Sequence, residues 1–198
     1  MNEKLNIIIL GLSITSSWGN GHATTFRGLV KELDRRGHRV LFLERNQPWY
    51  EANRDLPYPP YGQTELYGSL EELRDRFTEE IRAADMVMVG SFVPEGVAVG
   101  RWVQETAGII TAFYDIDTPV TLAKLQSGGC EYLEKDMIPN YDLYFSFTGG
   151  PALSYIEDKL KSPRALPLFC SVDPEHYYPI MEAERVYDLG YLGTYSDD

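Results

Sequence analysis

Short apolar runs alternate with stretches of helical period along most of the chain. Residues 5–13, LNIIILGLS, are rich in isoleucine, end at a turn and read as a strand buried on both faces. From His22 to Arg36, Phe26, Leu29, Val30 and Leu33 recur at helical spacing and Gly37 supplies the stop. HRVLFLER then predicts a second buried strand, so the chain opens with a βαβ unit whose first connection is the glycine-rich loop SSWGNGHATT.

Residues 47–68 break the rhythm. Four prolines sit among tyrosines and a tryptophan without sustained period, which predicts a long irregular excursion with one short strand at TELYG. Ser69 with Glu72 forms a capping box ahead of a helix whose apolar face is Leu70, Leu73, Phe77 and Ile81. MVMVGSF follows as a strand, Pro94 and Glu95 open a helix to Thr106, and GIITAFYDID is the next strand. TPVTLAKLQSGG reads as a short helix, DLYFSFTGG as a strand, PALSYIEDKLKS as a helix and RALPLFCSVD as a strand. This order predicts an α/β fold, a doubly wound, mostly parallel Rossmann-like sheet in three α/β/α layers.

The Rossmann-like unit is expected to span residues 1–174, followed by a proline-flanked acidic linker at 175–185. Residues 186–198 then read as the first strand of a further domain or as an extra edge strand. With 198 residues, 43% of them apolar, the chain is large enough to bury a full core. No window approaches a membrane span, and the amino terminus lacks the three regions of a signal peptide, so a cytoplasmic protein is expected. A net charge of −12 argues against binding to a nucleic-acid backbone. The acidity is strongest at the end, where residues 173–198 hold seven acids against Arg185 alone; a partner, further chain or solvent would face it. Cys130 and Cys170 lie far apart with no histidine at ligand spacing, which predicts two buried free thiols and no metal site.

In open α/β sheets the ligand crevice lies beyond the carboxyl ends of the strands. After the first strand, Gly19, Asn20 and Gly21 lead into a helix beginning at His22, a spacing that matches neither the dinucleotide fingerprint nor a Walker loop. Free amides at such a helix end can hold a phosphate or carboxylate, and the alternative is a plain tight turn. Trp18 beside them is a candidate for ligand contact. The aromatic excursion, with Glu51, Asn53, Arg54 and Asp55 as polar neighbours, is either a sugar-binding surface or a packed loop over the sheet edge. Asp115 and Asp117 point to one side if the strand continues that far, as acid/base groups, hydroxyl acceptors or helix caps. Thr148, Gly149 and Gly150 are a second anion or hydroxyl contact, or an ordinary strand-to-helix turn.

Three stretches carry a family likeness: SWGNGHATTFRGLVKELDRRGHRVLFLER, SFTGG before a helix, and LFCSVDPEHYYP, with DLGYLGTYS after them. Through these the chain resembles the amino-terminal half of a GT-B glycosyltransferase, and most closely the CgeB-like, spore-maturation-type enzymes. Ser171 stands where the family usually has glycine, and Asp115-Ile116-Asp117 where retaining members commonly place a histidine. The resemblance implies two Rossmann-like domains across a cleft, the absent second one binding a nucleotide-sugar donor and this one the carbohydrate or other hydroxyl acceptor. It implies catalysis without metal or tightly bound cofactor, with Gly19, Gly21 and His22 near the donor diphosphate and Asp115 and Asp117 near the reacting hydroxyl. His22 or Asp115 is the candidate base. By itself this piece is expected to be inactive. Two other readings stand beside it: a stand-alone sugar- or nucleotide-binding module, and a nicotinamide-dependent oxidoreductase with Glu44 in the place of a ribose-binding acid.

Overall fold

Seven strands, all parallel, form one sheet in the order β3-β2-β1-β4-β5-β6-β7. The computed structural model describes residues 3–181 and 186–190. In chain order the elements are β1 (Asn6–Gly11), α1 (His22–Arg35), β2 (Arg39–Arg45), α2 (Pro48–Glu51), β3 (Gln63–Tyr67), α3 (Leu70–Ala83) and β4 (Met86–Gly90). There follow α4 (Gly96–Thr106), β5 (Ile110–Asp115), α5 (Thr118–Ser127), a 3₁₀ helix (Lys135–Asn140), β6 (Leu143–Ser146), α6 (Pro151–Asp158) and β7 (Ala165–Pro167). The Rossmann-like α/β/α expectation is met.

The apolar runs are continuous because both faces of the sheet are covered. Ile7 and Ile9 of β1 pack with Phe26 and Val30 of α1 on one face. Ile8 and Leu10 point the other way, into a larger core with Leu73, Phe77 and Ile81 of α3, Val99 and Val103 of α4, Leu125 of α5 and Ile156 of α6. Side chains alternate along a strand, so each run feeds both cores. Right-handed crossovers account for the distribution of helices: steps from β1 towards β3 place α1 on one face, and steps from β4 towards β7 place α4 to α6 on the other.

The order reverses between β1 and β4, which puts a topological switch point there. At the amino end of α3, Ser69 Oγ accepts from Glu72 N at 3.1 Å, while the Glu72 carboxylate takes the Gly68 amide at 2.7 Å in place of the cap's own N–H. The predicted strand at 186–198 lies mostly outside the described residues, and 186–190 carry no strand. After β7 the chain crosses α1 at Gly28, where a Cβ would stand 3.3 Å from the Val172 carbonyl carbon; glycine permits this approach.

Candidate functional site

The loop after β1 is anchored over its first half. Glu44, fully buried at the end of β2, accepts hydrogen bonds from Ile14 N at 2.7 Å, Thr15 N at 2.9 Å and Thr15 Oγ1 at 2.6 Å. That occupancy removes it as a ribose-binding acid. Its carboxylate instead holds the loop that a dinucleotide would have to approach. The excursion after β2 adds a second clamp: Ser16 Oγ donates to the Asn53 carbonyl at 2.7 Å, Leu56 N to the Thr15 carbonyl at 3.0 Å, and Arg54 Nε to Thr15 Oγ1 at 3.1 Å. Asp55 receives Ser17 N and Oγ at 2.8 Å each and both Arg27 Nη groups at 2.8 and 2.9 Å, and Arg27 foremost holds its carboxyl well below the usual carboxylate range. Asn53, Arg54 and Asp55 are thus committed to the loop.

The second half of the loop is open. Trp18 is 55% exposed, and Gly19 takes a φ of 65° that favours glycine. Gly21, the N-cap of α1, has an ordinary φ of −88°, yet nothing lies within 4 Å of where its Cβ would be. Asn20 Oδ1 accepts the Ala23 amide at 3.1 Å, so one of the helix's free donors is capped by a neutral side chain. The first turn of α1 holds no acid of its own to compensate the positive end of the helix dipole.

His22, the first residue of α1, meets Asp117 across the switch point, its Nε2 lying 2.9 Å from Asp117 Oδ2. The two side chains differ in exposure: 8% for His22, 39% for Asp117. The imidazole is packed between Phe26 and Phe92, at centroid distances of 6.3 and 5.7 Å. Its Nδ1 is buried without a hydrogen-bond partner among the described residues, and so is the Tyr114 hydroxyl at the end of β5. A tautomer that donates from Nε2 to the carboxylate leaves Nδ1 as a free lone pair. Cys170, an exposed residue, flanks this corner; burial of its sulfur, with the nearby charge of Asp117, pushes the thiol up.

Asp115 does not share the side of Asp117. The strand ends at Asp115, so strand alternation stops applying. The Asp115 side chain is fully buried and turns towards β6 and α5, where it accepts from Tyr144 OH at 2.6 Å and Thr121 Oγ1 at 2.7 Å. It also takes the Asp117 amide at 3.2 Å, and this, with Thr118 Oγ1 on its carbonyl at 3.3 Å, organises the start of α5. Asp117 is the formal N-cap of α5 but makes no side-chain cap bond. The two carboxylates therefore divide the work: Asp115 shapes the helix entry and Asp117 is free to meet His22.

Burial is the largest influence on Asp115 and pushes its carboxyl up, against the opposing hydrogen bonds from Thr121 and Tyr144. With the folded value above the unfolded one, the folded state binds more protons in that window. The contribution is then present below the unfolded value and is lost as pH rises. Asp115→Asn removes this dependence, so its Tm relative to the parent is expected to improve steadily as pH rises from ~4, the ordinary aspartate range. Thermal melts of both proteins across that range check it, and a constant difference overturns it.

The second glycine pair stands apart. Thr148 donates its amide to Ser146 Oγ at 3.1 Å and shares a hydroxyl contact with it at 2.9 Å, and Ser146 in turn bonds Thr118 Oγ1 at 2.7 Å. Gly149 faces the Phe169 ring and Gly150 caps α6, as in a strand-to-helix turn. β6 is three places from β1 in the sheet, roughly 14 Å at ordinary strand spacing. The structure therefore brings His22, Asp117 and the Trp18-to-Gly21 loop together, and Thr148 joins the far side of this rim through Ser146 and Thr118, next to Asp117, while Gly149 and Gly150 form the turn into α6. The thiols also differ from expectation, Cys130 being half-buried and Cys170 exposed. Among the described residues no group of three or more His, Cys, Asp or Glu side chains is placed to hold a metal ion, and no helix is long and apolar enough to cross a membrane.

No protein-family model and no curated protein sequence matches the chain. Its fold aligns with a sucrose-phosphate synthase from Thermosynechococcus elongatus at a TM-score of 0.55 and 15% identity, over 88% of this chain and 50% of that one. An alpha-glucosyltransferase in complex with UDP and a mismatched DNA 13-mer aligns at 0.44 and 13% identity, over 83% and 40% of the two chains. A shikimate dehydrogenase from Thermotoga maritima aligns at 0.30 and 12%, over 83% and 46%. Only the first score is high enough to speak to the fold. The chain spans about half the length of that synthase.

Proposed function

We propose that this chain is the acceptor-side domain of a GT-B glycosyltransferase of the CgeB-like kind, acting with a second, donor-binding domain to move a sugar from a nucleotide-sugar to a hydroxyl. The observation that carries the reading is the His22–Asp117 pair at the switch point, beside an open glycine turn on a helix amino terminus. The shared fold with half of a sucrose-phosphate synthase supports it.

In the proposed reaction the acceptor oxygen attacks the anomeric carbon, the bond from that carbon to the diphosphate oxygen breaks, and the nucleoside diphosphate leaves with the bonding pair. Asp117, the exposed member of the pair, takes the acceptor's proton, and His22 holds the carboxylate in place from behind. The uncapped amides and dipole of α1 face the developing negative charge of the diphosphate, and the space at Gly19 and Gly21 lets backbone approach it. A single displacement of this kind inverts the anomeric configuration. No tightly bound cofactor takes part. The complete protein, offered a panel of nucleotide-sugars with hydroxyl acceptors, should release nucleoside diphosphate in step with glycoside. A nicotinamide dinucleotide should give no binding heat; tight binding of it without sugar transfer overturns the reading in favour of the oxidoreductase.

A further inference from the structure

A second pocket, of about 320 Å³, opens on the outer flank of α1, away from the His22–Asp117 pair. It is lined by Thr24 and Arg27 of α1, Leu56 and Tyr61 of the excursion, and Asp173 and Tyr177 of the segment after β7. Thr24 is two residues beyond His22, so the two side chains leave the helix about 200° apart, on opposite sides. The volume falls within the usual range for small-molecule sites.

The charges around this pocket are already answered. Arg27 gives Nε to the Ile14 carbonyl at 2.8 Å and both Nη groups to Asp55, whose two oxygens also receive Ser17. Asp173 receives Lys31 Nζ at 2.7 Å, His176 Nδ1 at 3.0 Å and the Glu175 amide at 3.0 Å. Lys31 is further paired with Glu175 at 2.5 Å. A charged ligand of either sign would have to break one of these pairs to find a counter-charge. The lining that remains is neutral: the rings and hydroxyls of Tyr61 and Tyr177, the Thr24 hydroxyl, and the apolar sides of Leu56 and Pro60. Two tyrosine rings with hydroxyls at their edges, beside apolar surface, suit a flat, uncharged, hydroxyl-bearing ring, held by its apolar face and oriented by hydrogen bonds.

We infer that this pocket is a binding site for a neutral saccharide ring, separate from the crevice that holds His22 and Asp117. Its occupant spans α1 and the segment after β7. The inference does not depend on sugar transfer at that pair, and the two can fail separately.

Phenyl β-D-glucoside serves as the probe, titrated into the 198-residue chain by calorimetry, with glucose 1-phosphate as its charged counterpart. Saturable binding of the neutral probe is expected, with the phosphate ester no tighter. Tyr177, 59% exposed, can be truncated with little risk to the fold, and Tyr177→Ala is expected to weaken the neutral probe about tenfold, the loss of one ring contact. Tyr61→Ala should do the same, while Asp117→Asn leaves the affinity unchanged. No saturable binding overturns the inference. So does binding that survives both tyrosine changes but is lost in Asp117→Asn, which would place the probe in the crevice. Tighter binding of the phosphate ester also overturns it, since the charged groups would then be free.

Discussion

Asp117→Asn is expected to lower turnover of the complete protein about 10²- to 10⁴-fold, the usual contribution of a positioned general base. Asparagine keeps the shape and can still meet His22 Nε2, but it cannot take the acceptor's proton. Because the Asp117 side chain is 39% exposed and makes no cap bond to α5, the thermal midpoint should barely move. His22→Gln tests the other half of the pair. It removes the ring packed against Phe26 and Phe92, so a modest loss of stability of about 1 kcal/mol accompanies the loss of rate. The informative comparison is the double variant. If the two side chains act as a unit, Asp117→Asn with His22→Gln costs little more than either alone. Turnover unchanged in Asp117→Asn removes that carboxylate from the mechanism. Multiplying losses would mean that the two groups act on different steps.

Much of the fold was legible because the sheet is parallel and its central strands are buried on both faces, so each of those announces itself as an uninterrupted apolar run. The expected strand boundaries fell within a few residues of β1, β2, β4, β5 and β6, the short strand at TELYG is β3, and β7 stops at Pro167 although an extended run to Asp173 was expected. Two short elements escaped. α2 begins at Pro48 and lasts four residues, too few to show a period, and the 3₁₀ helix at 135–140 contains Pro139 and repeats every three residues. The site was legible in its local parts only. The open glycine turn and the start of α1 at His22 follow from residue type and order. The contact between His22 and Asp117 joins residues 95 apart and depends on β1, β4 and β5 standing side by side, which no spacing reveals.

Asp115 and Glu44 fail the sequence reading for a shared reason. Each is a carboxylate at the carboxyl end of a strand, the place where a ligand-binding acid is expected, and each is fully buried and bonded inward. A loop of small polar residues leaves amides and hydroxyls that must be paired once covered, and a buried carboxylate on the neighbouring strand pairs several at once. Position at the rim therefore does not separate a ligand contact from a loop anchor. Burial does, and it separates Asp115 from Asp117 only two residues away.

Glu44→Ala follows from the same argument and should be strongly destabilising. The alanine leaves the amides of Ile14 and Thr15 and the Thr15 hydroxyl without their acceptor, in a loop where Ile14 and Thr15 are themselves fully buried. Each stranded donor costs about 1–3 kcal/mol, so a total of about 3–5 kcal/mol is expected after partial relaxation. That is a large share of a domain's usual stability and corresponds to a fall in Tm of about 10 °C. Glu44→Gln, which keeps one acceptor oxygen and sets an amide against the remaining donors, should fall between parent and alanine. The effect is local before it is global: hydrogen exchange at Ile14 and Thr15 should quicken in both variants, while the amides of β5 keep their protection until global unfolding. Asp55→Ala, which breaks the half-exposed pair with Arg27, is the control and should cost about 1 kcal/mol. Should Glu44→Ala melt within a degree or two of the parent, the carboxylate is not what holds the first half of the loop, and the anchored base from which the open glycine turn projects would have to be sought in the Asn53-to-Asp55 clamp instead.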